Sequence, residues 1–164
     1  MPSHDACKKL ADLIYTLSKQ YLTPVFEPHI SLLEDVVGSE EEIISKTEKL
    51  ANFITPFSVR LTDFGYEDTY FRSFFVDVQE CHEIMKANSL AREIFNTEND
   101  LQFKPHLSLM YGENIPMSVK EKIVSSIGNK LNIEFEAKSI FIYKSDDRPE
   151  KWERVKEIPL LKNV

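Results

Sequence analysis

The chain reads as an α+β protein built by duplication, and two observations carry that reading. Helix and strand signals run α-β-α-β-β and then repeat in the same order. Each repeat also holds a run of one kind, Pro28-His29-Ile30-Ser31-Leu32 in the first and Pro105-His106-Leu107-Ser108-Leu109 in the second. No Gly-, Ser- or Pro-rich linker divides the units. Residues 1–164 are therefore expected to form one domain, with lobe-forming repeats at about 3–78 and 80–160 and strands free to exchange between them.

The first expected helix spans 3–21, capped by Ser3 or Asp5, with Leu10, Leu13, Ile14 and Leu17 on one face. Phe26 to Val36 is expected as a strand. A residue before proline is pushed toward extended backbone, and the alternation puts His29 and Ser31 on one face and Ile30 and Leu32 on the other. Gly38, Ser39 and Glu40-Glu41-Glu42 read as turn, N-cap and acidic first turn of a helix running to about Phe53. Pro56 opens a strand pair. Phe57, Val59 and Leu61 alternate with polar neighbours, Gly65 to Asp68 turns, and Tyr70 to Val78 returns as a central strand with Tyr70, Arg72, Phe74 and Val76 on one face.

In the second repeat, a helix is expected over 80–95, a polar loop over 96–100 and the second motif strand over Phe103 to Tyr111. Pro116 suits a helix start and Gly128 its end. Ile133 to Ala137, Ser139 to Tyr143 and Trp152 to Ile158 read as closing strands, with a turn or flexible loop over Ser145 to Pro149.

Bulk properties remove several functional classes. The formal charge of −7 argues against a general binder of long nucleic acid, which leans on a basic footprint. No run approaches the roughly 18 apolar residues of a membrane span, and no membrane partner is expected. The two cysteines, Cys7 and Cys81, show no CxxC spacing, so reduced thiols and a cytoplasmic setting are expected. Cys81 and His82 lack a third metal ligand at a suggestive spacing, and no metal or other cofactor is expected.

Two imidazoles facing each other across a cleft suit acid-base work at phosphorus. Imidazole titrates near 6.5, so one ring can be neutral while its partner is protonated. Hydrolysis of a phosphodiester needs in-line attack by water, a base for its proton and an acid for the leaving oxygen. Each serine shares its histidine's face and can donate to a non-bridging oxygen. A single His-x-Ser run means little; two with the same flanking proline, apolar pattern and repeat position mean more.

On these residues the chain resembles the 2H phosphoesterase superfamily, defined by two H-x-[ST]-hydrophobic motifs. Within it the chain is most similar to the cyclic phosphodiesterases of tRNA splicing and RNA metabolism; the run Phe103 to Tyr111 carries much of the likeness. The resemblance implies two pseudo-symmetric antiparallel-sheet lobes with outer helices around a central groove. It implies His29 and His106 as the catalytic pair, Ser31 and Ser108 as phosphate ligands, and Tyr111, Trp152, Arg72 and Tyr70 as pocket residues. The implied partner is a small cyclic phosphate nucleotide, either ADP-ribose 1'',2''-cyclic phosphate or a nucleoside 2',3'-cyclic phosphate, opened without metal to a phosphomonoester. Short RNA ends are a further class of partner, and a monomer is expected. The alternatives are an RNA end-processing or ligase-like enzyme and a non-catalytic nucleotide-binding module.

Two departures accompany the likeness. The family begins with a strand ahead of the first helix, whereas this chain starts at Met1-Pro2, so either a start further upstream or a thinner sheet in the first lobe is expected. Met110-Tyr111-Gly112 stands where the ligase-like branch carries an arginine, which disfavours a long RNA substrate. Which histidine activates water stays open, with His106 favoured as base.

Overall fold

The computed structural model describes residues 4–97, 103–131, 133–146 and 148–161. Helices α1 (His4–Tyr21) and α2 (Glu40–Ala51) precede strands β1 (Phe57–Gly65) and β2 (Phe74–Val78). Helix α3 (His82–Phe95), strand β3 (His106–Met110), helix α4 (Met117–Ile127) and strands β4 (Glu134–Ala137), β5 (Ser139–Lys144) and β6 (Glu153–Pro159) follow. The local signals explain most of these bounds. Ser39 caps α2 by accepting the Glu42 amide at 3.2 Å, and Gly128 closes α4 at φ +54. The expected Ser3 cap of α1 lies outside the described residues.

Two antiparallel sheets form, ordered β3-β2-β1-β4 and β5-β6. The larger carries strands from both sequence halves, so the sheets do not follow the repeat boundary near residue 79. Helix α1 buries Leu10, Ile14 and Leu17 against Phe74, Val76, Leu107 and Leu109, while Ile123 of α4 joins the same core. A second core joins Leu50 and Ala51 of α2, Ala87 and Ala91 of α3, and Ile158 of β6. The expected pair of sheet lobes is present, with unequal sheets.

The first motif does not form the expected strand over 26–36. It is extended chain joined to the larger sheet by one antiparallel bridge, Ile30 to Leu107. Pro28 has no N–H to give a ladder. Beyond the bridge, the Asn88 side chain takes the Leu32 carbonyl at 2.7 Å, and Asp35 turns the chain at φ +54. The segment spans both cores, with Ile30 against the first and Leu32 and Leu33 against the second.

Tyr70 to Arg72 forms a 3-10 turn, not the start of the expected strand. The Gly112 amide holds the Tyr70 carbonyl at 2.9 Å, and the Glu67 amide holds that of Arg72 at 2.9 Å. The face assignment therefore changes. Phe74 and Val76 enter the core, while the Arg72 guanidinium lies over the Phe75 ring, 5.1 Å from its centroid. Residues 98–102, in the expected loop and just ahead of the expected second motif strand, lie outside the described residues; β3 itself is shorter than expected and begins at His106.

Candidate active site

Each histidine is set by the same local device. The Nδ1–H of His29 donates to the Glu27 carbonyl at 2.7 Å, and that of His106 to the Lys104 carbonyl at 3.0 Å. A carbonyl only accepts, so Nδ1 carries the proton in both rings and Nε2 is left for chemistry. In each case the acceptor lies two residues back, across the proline. The repeated Pro-His pair thus sets a tautomer as well as a direction.

The Ile30–Leu107 bridge also sets the register between the motifs. In antiparallel pairing it places His29 opposite Ser108 and Ser31 opposite His106, all four on one face. Directly opposed side chains lie about 5 Å apart and diagonal ones about 7–8 Å. The histidines are the diagonal pair, each beside the other motif's serine.

All eight residues expected at the site line one groove of about 1460 Å³ between the two sheets. Their surroundings differ. Tyr111 is buried, stacks on Phe26 at 3.9 Å, and its hydroxyl lies 3.3 Å from His29 Nε2. Burial raises the Tyr111 pKa, keeping the hydroxyl a donor. The Ser108 hydroxyl is committed to the Phe71 carbonyl at 3.0 Å and must rotate to donate elsewhere.

Trp152 stands 5.6 Å from the His29 ring, with its indole N–H on the Asp146 carbonyl at 2.7 Å. Arg72 is paired with Glu67 at 2.9 Å, which neutralises much of the local positive charge. Tyr70 lies 6.2 Å from Tyr111 and 4.8 Å from Phe71.

Two groove residues outside the expected set bear on the site. Phe71 is 47% exposed, and its ring lies 6.2 Å from that of Trp152 at an angle of 27°. Strand alternation would turn Phe71 away from Tyr70; the 3-10 turn brings it to the groove. Glu27 is the other, and its side-chain partners are all distant in sequence.

Electrostatics acts on His29 in particular. Burial pulls the His29 pKa below its usual value of 6.5, and the charge of His106 pushes the same way, against the Glu27 carbonyl and Glu34. The folded protein thus prefers His29 neutral. A histidine with a depressed folded pKa leaves stability intact above about 6.5 and lowers it as pH falls toward the folded value. The melting temperature is expected to fall as pH drops from about 7 to about 5, and less steeply in His29→Gln. Parallel slopes in calorimetry would contradict this.

Among the described residues, no three His, Cys, Asp or Glu side chains converge as a metal-holding group. None of the described helices is long and apolar enough to cross a membrane.

A groove between two sheets, with two H-x-S motifs side by side along one face, defines a 2H phosphoesterase. The chain belongs to the family described as cyclic phosphodiesterase-like protein, which its residues 1–157 match. It is 21% identical over 113 residues to the cyclic phosphodiesterase of Arabidopsis thaliana; that match covers 69% of this chain and 62% of the relative. Among solved structures, a Thermus thermophilus protein superposes with a TM-score of 0.62 at 17% identity, covering 93% of this chain and 92% of its own. E. coli LigT complexed with 3'-AMP superposes at 0.61 with 13% identity, covering 93% and 91%. LigT complexed with NADP+ does so at 0.58 with 14% identity and the same coverage.

Proposed function

We propose that the protein hydrolyses a ribose cyclic phosphate to a phosphomonoester by two-histidine acid-base catalysis, with no metal in the reaction. The observation that carries this reading is the matched pair of Nδ1–carbonyl bonds, which fixes the same tautomer in both rings within one groove, His29 Nε2 accepting from the Tyr111 hydroxyl at 3.3 Å. Water attacks phosphorus in line and gives a proton to Nε2 of one histidine. The ribose oxygen opposite leaves as its bond to phosphorus breaks, taking a proton from Nε2 of the other.

Burial favours His29 as the base, because it is the ring held neutral, and leaves His106 as the acid. This reverses the assignment favoured from the sequence. Ser31, which lines the groove, donates to a non-bridging oxygen, and Ser108 joins it on rotation. The diagonal register supports these roles by placing each hydroxyl beside the opposite imidazole.

The base of a nucleotide substrate stacks against Phe71 and Trp152, whose rings flank the His29 side of the groove. The nucleotides bound by the E. coli neighbour support an occupant of this size. Both ADP-ribose 1'',2''-cyclic phosphate and nucleoside 2',3'-cyclic phosphates fit the proposal, and the acidic chain disfavours long RNA.

Steady-state kinetics on each cyclic phosphate, with wild type and Trp152→Ala, tests the reading. Turnover of at least one substrate is expected. Losing one stacking ring is expected to raise KM by about 5- to 100-fold, with a smaller change in kcat, since base stacking contributes ~1–3 kcal/mol. Turnover restricted to oligonucleotide ends would move the assignment to RNA end processing. Nucleotide binding without any turnover would make the protein a binding module.

A further inference from the structure

The first motif presents a mechanical problem. His106 sits on β3, where the Asp77–His106 pairing and the Val78 amide on the Pro105 carbonyl at 3.0 Å hold the backbone. His29 sits on chain with one bridge, and its Nδ1 acceptor, the Glu27 carbonyl, lies before that bridge. That acceptor is held only as firmly as Glu27 is.

Glu27 is gripped by its side chain. The Tyr143 hydroxyl donates to its carboxylate, and Arg154 Nη2 reaches both oxygens, at 3.2 and 2.9 Å. Arg154 Nε bonds the Tyr143 hydroxyl at 3.2 Å, and its guanidinium lies 4.8 Å from the Phe141 ring centroid. Tyr143 and Arg154 are cross-strand partners in the β5-β6 sheet, so the sheet itself sets the two donors side by side.

We propose that Glu27, Tyr143 and Arg154 are positioning residues that hold the His29 tautomer, a task performed for His106 by sheet pairing. The proposal rests on the catalytic role given to His29 above. Both partners of the ion pair are substantially exposed, so it contributes little to stability. Its effect is geometric: it fixes where the Glu27 carbonyl points. Burial would raise the Glu27 pKa, but the hydrogen bonds from Tyr143 and Arg154 hold it below the usual carboxylate value. Burial and the Glu27 hydrogen bond push Tyr143 up to about 12. The network therefore keeps its protonation state through neutral pH. The other titrating groups around it are Cys7 of α1, near Glu27 and Arg154, and Glu34 and His106, near His29.

The test compares wild type with Glu27→Ala, Arg154→Met and the double variant, by kinetics on the cyclic phosphates and by nitrogen-15 NMR of the imidazoles. Each single variant is expected to lower kcat by about 10- to 100-fold, the scale of a misplaced catalytic group, with KM within about threefold. The double variant is expected to be no worse than the poorer single one. His29 should change from the Nδ1–H tautomer to a mixture while His106 stays unchanged, and Glu27→Gln, whose amide oxygen still accepts, should recover part of the loss.

Unchanged His29 tautomer and kcat in both single variants would overturn the proposal, as would rate losses that multiply. The NMR result separates this idea from the functional one. A mixed tautomer in the variants of a protein that turns over no cyclic phosphate would support the positioning role and remove the proposed reaction.

Discussion

Alanine at His106 is expected to lower kcat/KM on a cyclic phosphate by about 10²–10⁴-fold while leaving the fold intact, the range for one proton-transfer role. His106 is only partly buried and its ring makes one hydrogen bond, to the Lys104 carbonyl, so truncation removes chemistry more than packing. Alanine at His29 is expected to cost a similar factor. The combined variant should lose far less than the product of the two, because without one proton transfer the other has little left to assist. Single-turnover kinetics measures these losses, with circular dichroism and thermal melts as the check on folding. Near wild-type turnover in either single variant would remove that residue from the reaction.

The second large effect comes from a residue with no side chain. A Cβ at Gly65 would lie 2.3 and 2.5 Å from atoms of the Phe75 ring, closer than non-bonded atoms approach. Gly65 and Phe75 are cross-strand partners, and Phe75 pairs in turn with Ser108 and packs 5.2 Å from the His106 ring. Gly65→Ala must therefore displace the ring on which the second motif rests. Overpacking of this kind costs about 1–3 kcal/mol, and kcat is expected to fall with it. Gly38→Ala is the comparison: its added Cβ would meet the movable end of Glu42 at 3.3 Å, so a smaller loss is expected in chemical denaturation. Equal midpoints for Gly65→Ala and wild type would show that the ring has room to move.

Gly65 also marks the limit of what the chain reveals on its own. The repeated Pro-His-x-Ser run, the Ser39 cap, the Leu10–Ile14–Leu17 stripe and Gly128 are local signals, and each is seen in the fold. The repeated run made the placing of His29 and His106 in one groove legible, and carbonyls two positions back set both rings. What lies further off in sequence was not legible. Alternation suggests a full strand at the first motif, but Pro28 and the Asn88 side chain leave a single bridge. It also placed Phe71 on the wrong side of a strand that begins only at Phe74. The grip on Glu27 depends on partners more than 100 positions away, which no local pattern encodes.

In the proposed reaction two imidazoles, without a metal, open a cyclic phosphate in this groove. Phosphorus NMR of wild-type protein in excess chelator tests it directly, with His106→Ala and His29→Ala run in parallel. The predicted result is conversion of the cyclic phosphate signal to a single phosphomonoester, unaffected by chelation and strongly slowed in both variants. Turnover that stops with chelator and returns with an added divalent cation would contradict the account, as would conversion that proceeds unchanged in either variant.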